Sequence, residues 1–306
     1  MSRFRSIRGV FPLQSPSQYR VLPHSPIPDD IPKPFYYKTK GKGEYTSTFK
    51  GDVEILSASS IEKMRKASKI AAGALQVALD NAKPGITTEQ IDKIVHNYII
   101  SNKAYPSGVY FMGFPKSLCT SVNEIVCHGV PNLRPLQDGD IVNFDVTAFI
   151  DGHYGDNSDM AIIGKVPNKD VHKLVEVTRE SVWKAIKICK PGVEMRLIGE
   201  VIENYVKSFG FAVCHEFLGH GIGANMHMPP PVMNNTNETR VEMKPGMAFT
   251  IEPIVMENPD YKLGVWDDGW TIADMTGGLS AQYEHTILIT DEGCEILTDR
   301  KVLIEK

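Results

Sequence analysis

The chain is poor in several things, and each shortage removes a class of protein. It has only five cysteines in 306 residues, at 119, 127, 189, 214 and 294. The number is odd, no two form a C-x-x-C pair, and the spacing is wide, which excludes a disulfide framework and suits a reducing compartment. No apolar run approaches the roughly 20 residues needed to cross a bilayer. There is no excess of basic charge, since the net charge is −4, so direct nucleic-acid binding is not expected. No apolar secretory segment opens the chain, which leaves the sequons at Asn234 and Asn237 as chance matches. Acids are missing from the first 28 residues, which carry Arg3, Arg5, Arg8, Arg20 and five serines.

What is present divides into an arm and a body. Seven of the twenty prolines fall in residues 12–34. Residues 1–50 read as a Pro-rich extended arm laid on the body, or, over about the first 30, as an Arg- and Ser-rich transit peptide for a mitochondrion or plastid. The compartment is otherwise expected to be the cytoplasm. The arm's first 40 residues carry little periodic apolar pattern and read as dispensable for catalysis on short peptides.

Regular structure begins near residue 59. Ser59 and Glu62 form a capping-box pattern ahead of a helix whose apolar face runs through Ile61, Met64, Ala71, Leu75 and Ala78. Thr87 and Gln90 form a second, ahead of Ile91, Ile94, Val95, Tyr98 and Ile99. Strand-like runs follow at "SLCTSVNEIVCHG", "DIVNFDVTAFI" and "MAIIGKV", with a hairpin at "DGHYG". Helical spacing returns in 170–189 and 194–207, and strands resume at "MAFTIEPIVM", "QYEHTILIT" and "CEILT".

This order repeats once. An offset of 107 carries Lys83-Pro84-Gly85 onto Lys190-Pro191-Gly192, Ile91 onto Ile198, Tyr98 onto Tyr205, Gly139 onto Gly246 and Asp145 onto Glu252. Residues 51–306 therefore read as one domain of two related halves, about 55–166 and 167–300, with a carboxylate from each at the seam. Two copies are too few for a solenoid.

The acids call for an explanation. Asp145, Glu252 and Glu284 each interrupt an apolar run of strand character, and Asp156 follows Asp145 by eleven residues. Buried carboxylates are rare unless paired or bound to a cation. "HEFLGHGIGANMH" adds three of the nine histidines among glycines. Acids brought together repel, and a divalent cation pair reverses that cost. Carboxylates with one imidazole suit Mn²⁺, Co²⁺, Fe²⁺ or Zn²⁺, and two such ions form the clamp of many hydrolases.

The motifs "VCHGVP", "GDIVNFDVT", "YGDNS", "GHGIG…H", "FTIEP" and "SAQYEHT" occur in that order. On them the chain resembles the type I methionine aminopeptidases over residues 55–300, in the variant with a Pro-rich extension. With no cysteine before Cys119, the zinc-finger extension of some relatives is absent. The resemblance implies an α+β pita-bread fold: two pseudo-symmetric αβ halves, a central antiparallel sheet and a metal site at the seam. It implies two divalent metal ions on Asp145, Asp156, His220, Glu252 and Glu284, with Asp145 and Glu284 bridging. It also implies release of the initiator methionine from nascent proteins and peptides, with a small second residue preferred, through attack of a metal-held hydroxide on the first peptide bond. Glu252 would be the general base, with His128 and His227 contacting the substrate. Phe111, Phe114, Cys119, Met226 and Trp270 would line the side-chain pocket. His215 has no counterpart and reads as an ordinary polar histidine. Three departures from the family stand out: Gly108 and Met226, which would widen the pocket, and Asn157 in place of a threonine behind the metals. A monomer is expected, with the arm a candidate for docking near the ribosome exit. The competing readings are an X-Pro aminopeptidase or prolidase of the same fold, and a non-catalytic binding relative.

Overall fold

The computed structural model describes residues 11–13, 19–42, 49, 51–166 and 168–300. Residues 1–10 and 14–18 of the transit-peptide reading and residues 43–48 and 50 of the arm lie outside them. Four helices, α1 (Ala58–Asn81), α2 (Thr88–Ser101), α3 (Lys169–Ile188) and α4 (Arg196–Lys207), pack over a large antiparallel sheet. Among the described residues none is long and apolar enough to cross a membrane.

The helices begin where caps allow. Thr87 and Gln90 cap α2 reciprocally, as the pattern predicted. The Ser59–Glu62 box does not form. Leu56, buried and bonded through its amide to Gly246, fixes the entry so that Ser57 takes the cap position and accepts the Ser60 amide at 3.1 Å. Glu62 pairs with Arg65 instead. The apolar faces then close two cores. Ala71, Leu75, Ile91, Val95 and Ile99 pack on Phe144, Val146 and Ala148. Val182, Ile186, Ile198 and Ile202 pack on Phe249, Ile251 and Ile287.

The strands bring the acids into one place. Ile141–Ile150 and His153–Ile162 form a hairpin of ten residue pairs, closed by Asp151 and Gly152 at φ 53° and 81°, the two-residue turn that matches strand twist. The strand Glu284–Ile289 pairs with its second arm, and Ala248–Ile251 pairs with Glu284–Ile289 in turn. "MAFTIEPIVM" is not one strand. Pro253 has no amide to donate, and the chain changes sheets there, to Ile254–Met256. Glu252 thus sits at a strand end rather than inside a strand.

The arm is anchored at a few points where it is described. Ile27, Ile31 and Tyr36 are buried against Tyr105, Val109 and Phe111. Tyr36 donates its hydroxyl to the Ser107 carbonyl at 2.7 Å, and His24 Nε2 lies 2.8 Å from the Tyr110 hydroxyl.

Candidate metal and substrate site

Strand register sets out the site. Directly opposed residues in antiparallel strands share a face. Cys119 pairs with Asp145, Asp145 with Ser158, and Ser158 with Glu284, so four adjacent strands carry one row. Asp156 pairs with Thr147, one step along the same face. His220 comes from the short strand Gly219–Gly221, which pairs with Ala248–Ile251. Gly219 and Gly221 are needed there: a Cβ would lie 2.5 Å from the Thr250 carbonyl at the first and 2.1 Å from that of Pro229 at the second.

One donor atom each from Asp156, His220 and Glu284 falls within 4.8 Å of the others. Asp145 and Glu252 line the same cavity, and Glu252 Oε1 is 3.4 Å from His220 Nε2. The Thr147 hydroxyl donates to Asp156 Oδ1 at 2.8 Å, and that of Thr250 to Glu252 Oε1 at 2.7 Å while accepting the His220 amide at 2.9 Å. These hydroxyls aim the carboxylates, as partners of metal ligands do.

Burial pushes the carboxyl groups up, and acidic neighbours raise Asp145, Glu252 and Glu284 further. Asp156 is at about 6; Asp145, Glu252 and Glu284 stand well above the usual range. Burial also pulls His220 and His128 down to about 4, and His227 further, with its neighbouring imidazoles adding to the shift. His220 Nδ1 lies 3.2 Å from the Gly221 carbonyl, which can only accept a hydrogen. The Nε2 lone pair therefore faces Asp156 and Glu252. Lone pairs opposed in this way need a proton or a cation between them, and neutral imidazole with clustered carboxylates is a donor set that divalent ions accept. The residues fit the metal that the acids called for.

The cavity, about 370 Å³ in all, is otherwise largely apolar. It brings together Phe111, Phe114, Cys119, Met226 and Trp270 with His128 and His227. Phe111 meets His227 edge-on at 5.2 Å and Phe114 meets Trp270 at 5.1 Å. His227 lies 4.3 Å from His220 between ring centres. His215 is elsewhere, half exposed and paired with Glu203. Asn157 points away from the row, with its amide donating to the Val146 carbonyl at 3.0 Å. Gly108 does line the cavity, but a Cβ would stand 2.6 Å from the Lys116 carbonyl. Close approach of two backbones, as well as pocket width, selects glycine there. Sequence reasoning missed Glu216, Phe217 and Leu218 on the cavity wall, although they directly precede the Gly-His-Gly turn. It also missed Thr147, whose signal was its place two residues after Asp145, on the same strand face.

The profile of metallopeptidase family M24 matches residues 62–291. The chain belongs to that family, the class its pita-bread fold and its carboxylate–histidine cavity define. Within it, the chain falls among the methionine aminopeptidases of type I. It is 45% identical over 278 residues to methionine aminopeptidase 1D, chloroplastic/mitochondrial, of Arabidopsis thaliana, covering 91% of this chain and 78% of that one. A crystal structure of methionine aminopeptidase from Rickettsia prowazekii is 41% identical, with a TM-score of 0.78 over 81% of this chain and all of that one. Prolidase from Pyrococcus furiosus shares the fold at 22% identity and a TM-score of 0.63, covering 80% of this chain and 65% of its own.

Proposed function

We propose that the protein removes the N-terminal methionine from nascent proteins and peptides, preferring a small second residue. The observation that carries this is the junction of two surfaces in one cavity: the row Asp145, Asp156, Glu284 with His220 and Glu252, and the apolar wall of Phe111, Phe114, Cys119, Met226 and Trp270. We infer that Asp145, Asp156, His220, Glu252 and Glu284 would hold two divalent cations. Bound there, such ions supply Lewis acidity and lower the pKa of water. The neutral α-amine would lie at the Asp145–Asp156 end, which confines cleavage to the first bond. Glu252 serves as general base. Thr250 donates to its Oε1 at 2.7 Å and the Gln282 amide to its Oε2 at 3.4 Å, which orients the carboxylate to take the proton of the attacking water and return it to the leaving amine. His227 and His128, neutral at pH 7, donate N–H to the oxygen that gains charge and to the scissile amide.

The identity over most of the chain to methionine aminopeptidases favours this reading over an X-Pro peptidase, whose solved relatives share the fold alone. The related-halves reading gains support from matched glycines: Gly85 and Gly192 at φ 89° and 82°, Gly139 and Gly246 at 98° and 87°. We take the enzyme to be a cytoplasmic monomer, with the arm a candidate contact for the ribosome. An organelle is the second reading, favoured by the description of the Arabidopsis relative. The test is Glu252→Ala, which should cut turnover of a Met-Ala-Ser peptide by at least roughly 10²-fold while the protein stays folded. Activity above about a hundredth of wild type would remove Glu252 from both roles.

A further inference from the structure

Helix α2 turns a polar stripe inward beside its apolar one. Glu89, Asp92 and His96, spaced i, i+3 and i+7, are 2%, 1% and 1% exposed. They face Lys116, which is wholly buried. Its ammonium pairs with Glu89 Oε2 and lies 3.9 Å from Asp92 Oδ2. Asp92 Oδ1 accepts the Ser117 amide at 2.7 Å. The Ser117 hydroxyl lies 2.8 Å from His96 Nδ1, and His96 Nε2 donates to the Pro26 carbonyl at 3.0 Å, so Nδ1 is the acceptor. Three consecutive turns of one helix therefore grip two consecutive residues.

The gripped residues begin the cavity wall. Ser117, Leu118 and Cys119 all line it, and Cys119 pairs with Asp145. On the other side, the Lys116 carbonyl abuts Gly108, which lines it too. Glu89, Asp92 and Lys116 do not themselves line the cavity. Burying three ionisable groups costs several kcal/mol each before pairing, and a well-packed apolar trio of the same volume is often as stable. Stability alone is thus a weak reason for the cluster. What an ion cluster supplies that an apolar patch does not is direction: it fixes where one backbone segment lies.

We propose that Lys116, held by Glu89 and Asp92, is a positioning residue that sets the 117–119 wall of the pocket and so its selectivity for the methionine side chain. This rests on the reading that the cavity receives that side chain.

The test compares wild type with Lys116→Met and with Lys116→Met/Glu89→Gln, which also removes the buried glutamate charge, otherwise left with Lys93 at 3.4 Å. The milder Asp92→Asn keeps the shape and an acceptor for the Ser117 amide. Metal content and melting temperature are measured beside kcat and KM on Met-Ala-Ser and Leu-Ala-Ser. A wall displaced by a fraction of an ångström should raise KM and lower the Met/Leu ratio of kcat/KM by about tenfold in the Lys116 variants and about threefold in Asp92→Asn. Metal content and kcat should stay within about threefold. Any folded variant of Lys116 whose KM and selectivity stay within about twofold of wild type overturns the proposal; if neither Lys116 variant folds, Asp92→Asn decides by the same criterion. Wild type that binds metal but releases no methionine would overturn the parent reading instead, and this inference with it.

Discussion

Tyr36 should matter to both stability and catalysis, although it lies in the segment whose composition reads as dispensable. Its ring is 3% exposed and meets Phe111 edge-on at 5.4 Å. Its hydroxyl donates to Ser107 at 2.7 Å. Phe111 in turn meets His227 at 5.2 Å, so the arm braces a pocket residue that touches a proposed catalytic histidine. Replacing a buried aromatic by alanine costs about 3–5 kcal/mol. At roughly 2–4 °C per kcal/mol for a chain of this size, Tyr36→Ala should lower Tm by roughly 6–20 °C. Tyr36→Phe removes only the hydroxyl, worth about 1 kcal/mol, and should cost a few degrees at most. Once Phe111 is free to shift, kcat/KM on Met-Ala-Ser should fall about tenfold or more in Tyr36→Ala, and little in Tyr36→Phe. Thermal unfolding followed by circular dichroism and steady-state kinetics reads both effects. Tyr36→Ala with Tm within about 2 °C of wild type and unchanged kcat/KM would refute the reasoning and restore the arm as an appendage.

The histidines should separate by assay. His220→Ala should lose metal, while His227→Ala should keep it and lose kcat; equal metal loss in both would dissolve the division between ligand and substrate contact. Across Met-X-Ser peptides, kcat/KM for Ala should exceed that for Leu by about 10², and parity would sink the steric argument. Gly108→Ala should cost about 1–3 kcal/mol and raise KM, because its Cβ meets the Lys116 carbonyl at 2.6 Å; wild-type Tm and KM in that variant would show that the backbone gives way there.

The parts of this site legible in sequence are those where chemistry conflicts with local pattern. Asp145 and Glu284 stand out because acids in apolar strands need a partner, a cation or a pairing base, and His220 because glycines flank it. Register is different. That Asp145, Ser158 and Glu284 form one row depends on which strands pair, which no single segment encodes. The break at Glu252 was written in Pro253, but apolar residues on both sides masked it. Ser57 won the cap over Ser59 because Leu56 is buried, a tertiary fact. Lys116 was silent, since one lysine in "FPKS" looks like any surface lysine until two α2 acids close on it. The arm's contacts were hidden for a related reason: an extended chain laid on the body was legible from its prolines, but Ile27, Ile31 and Tyr36 are sparse anchors without periodicity.

The most direct test strips metal from the purified protein with a chelator, confirms its absence by elemental analysis, and follows methionine release from Met-Ala-Ser before and after Mn²⁺ or Co²⁺ is restored. The metal-free protein should retain under about a hundredth of the activity, and restored ions should return it. Undiminished cleavage without metal, or a fully loaded protein that releases no methionine, would contradict the account.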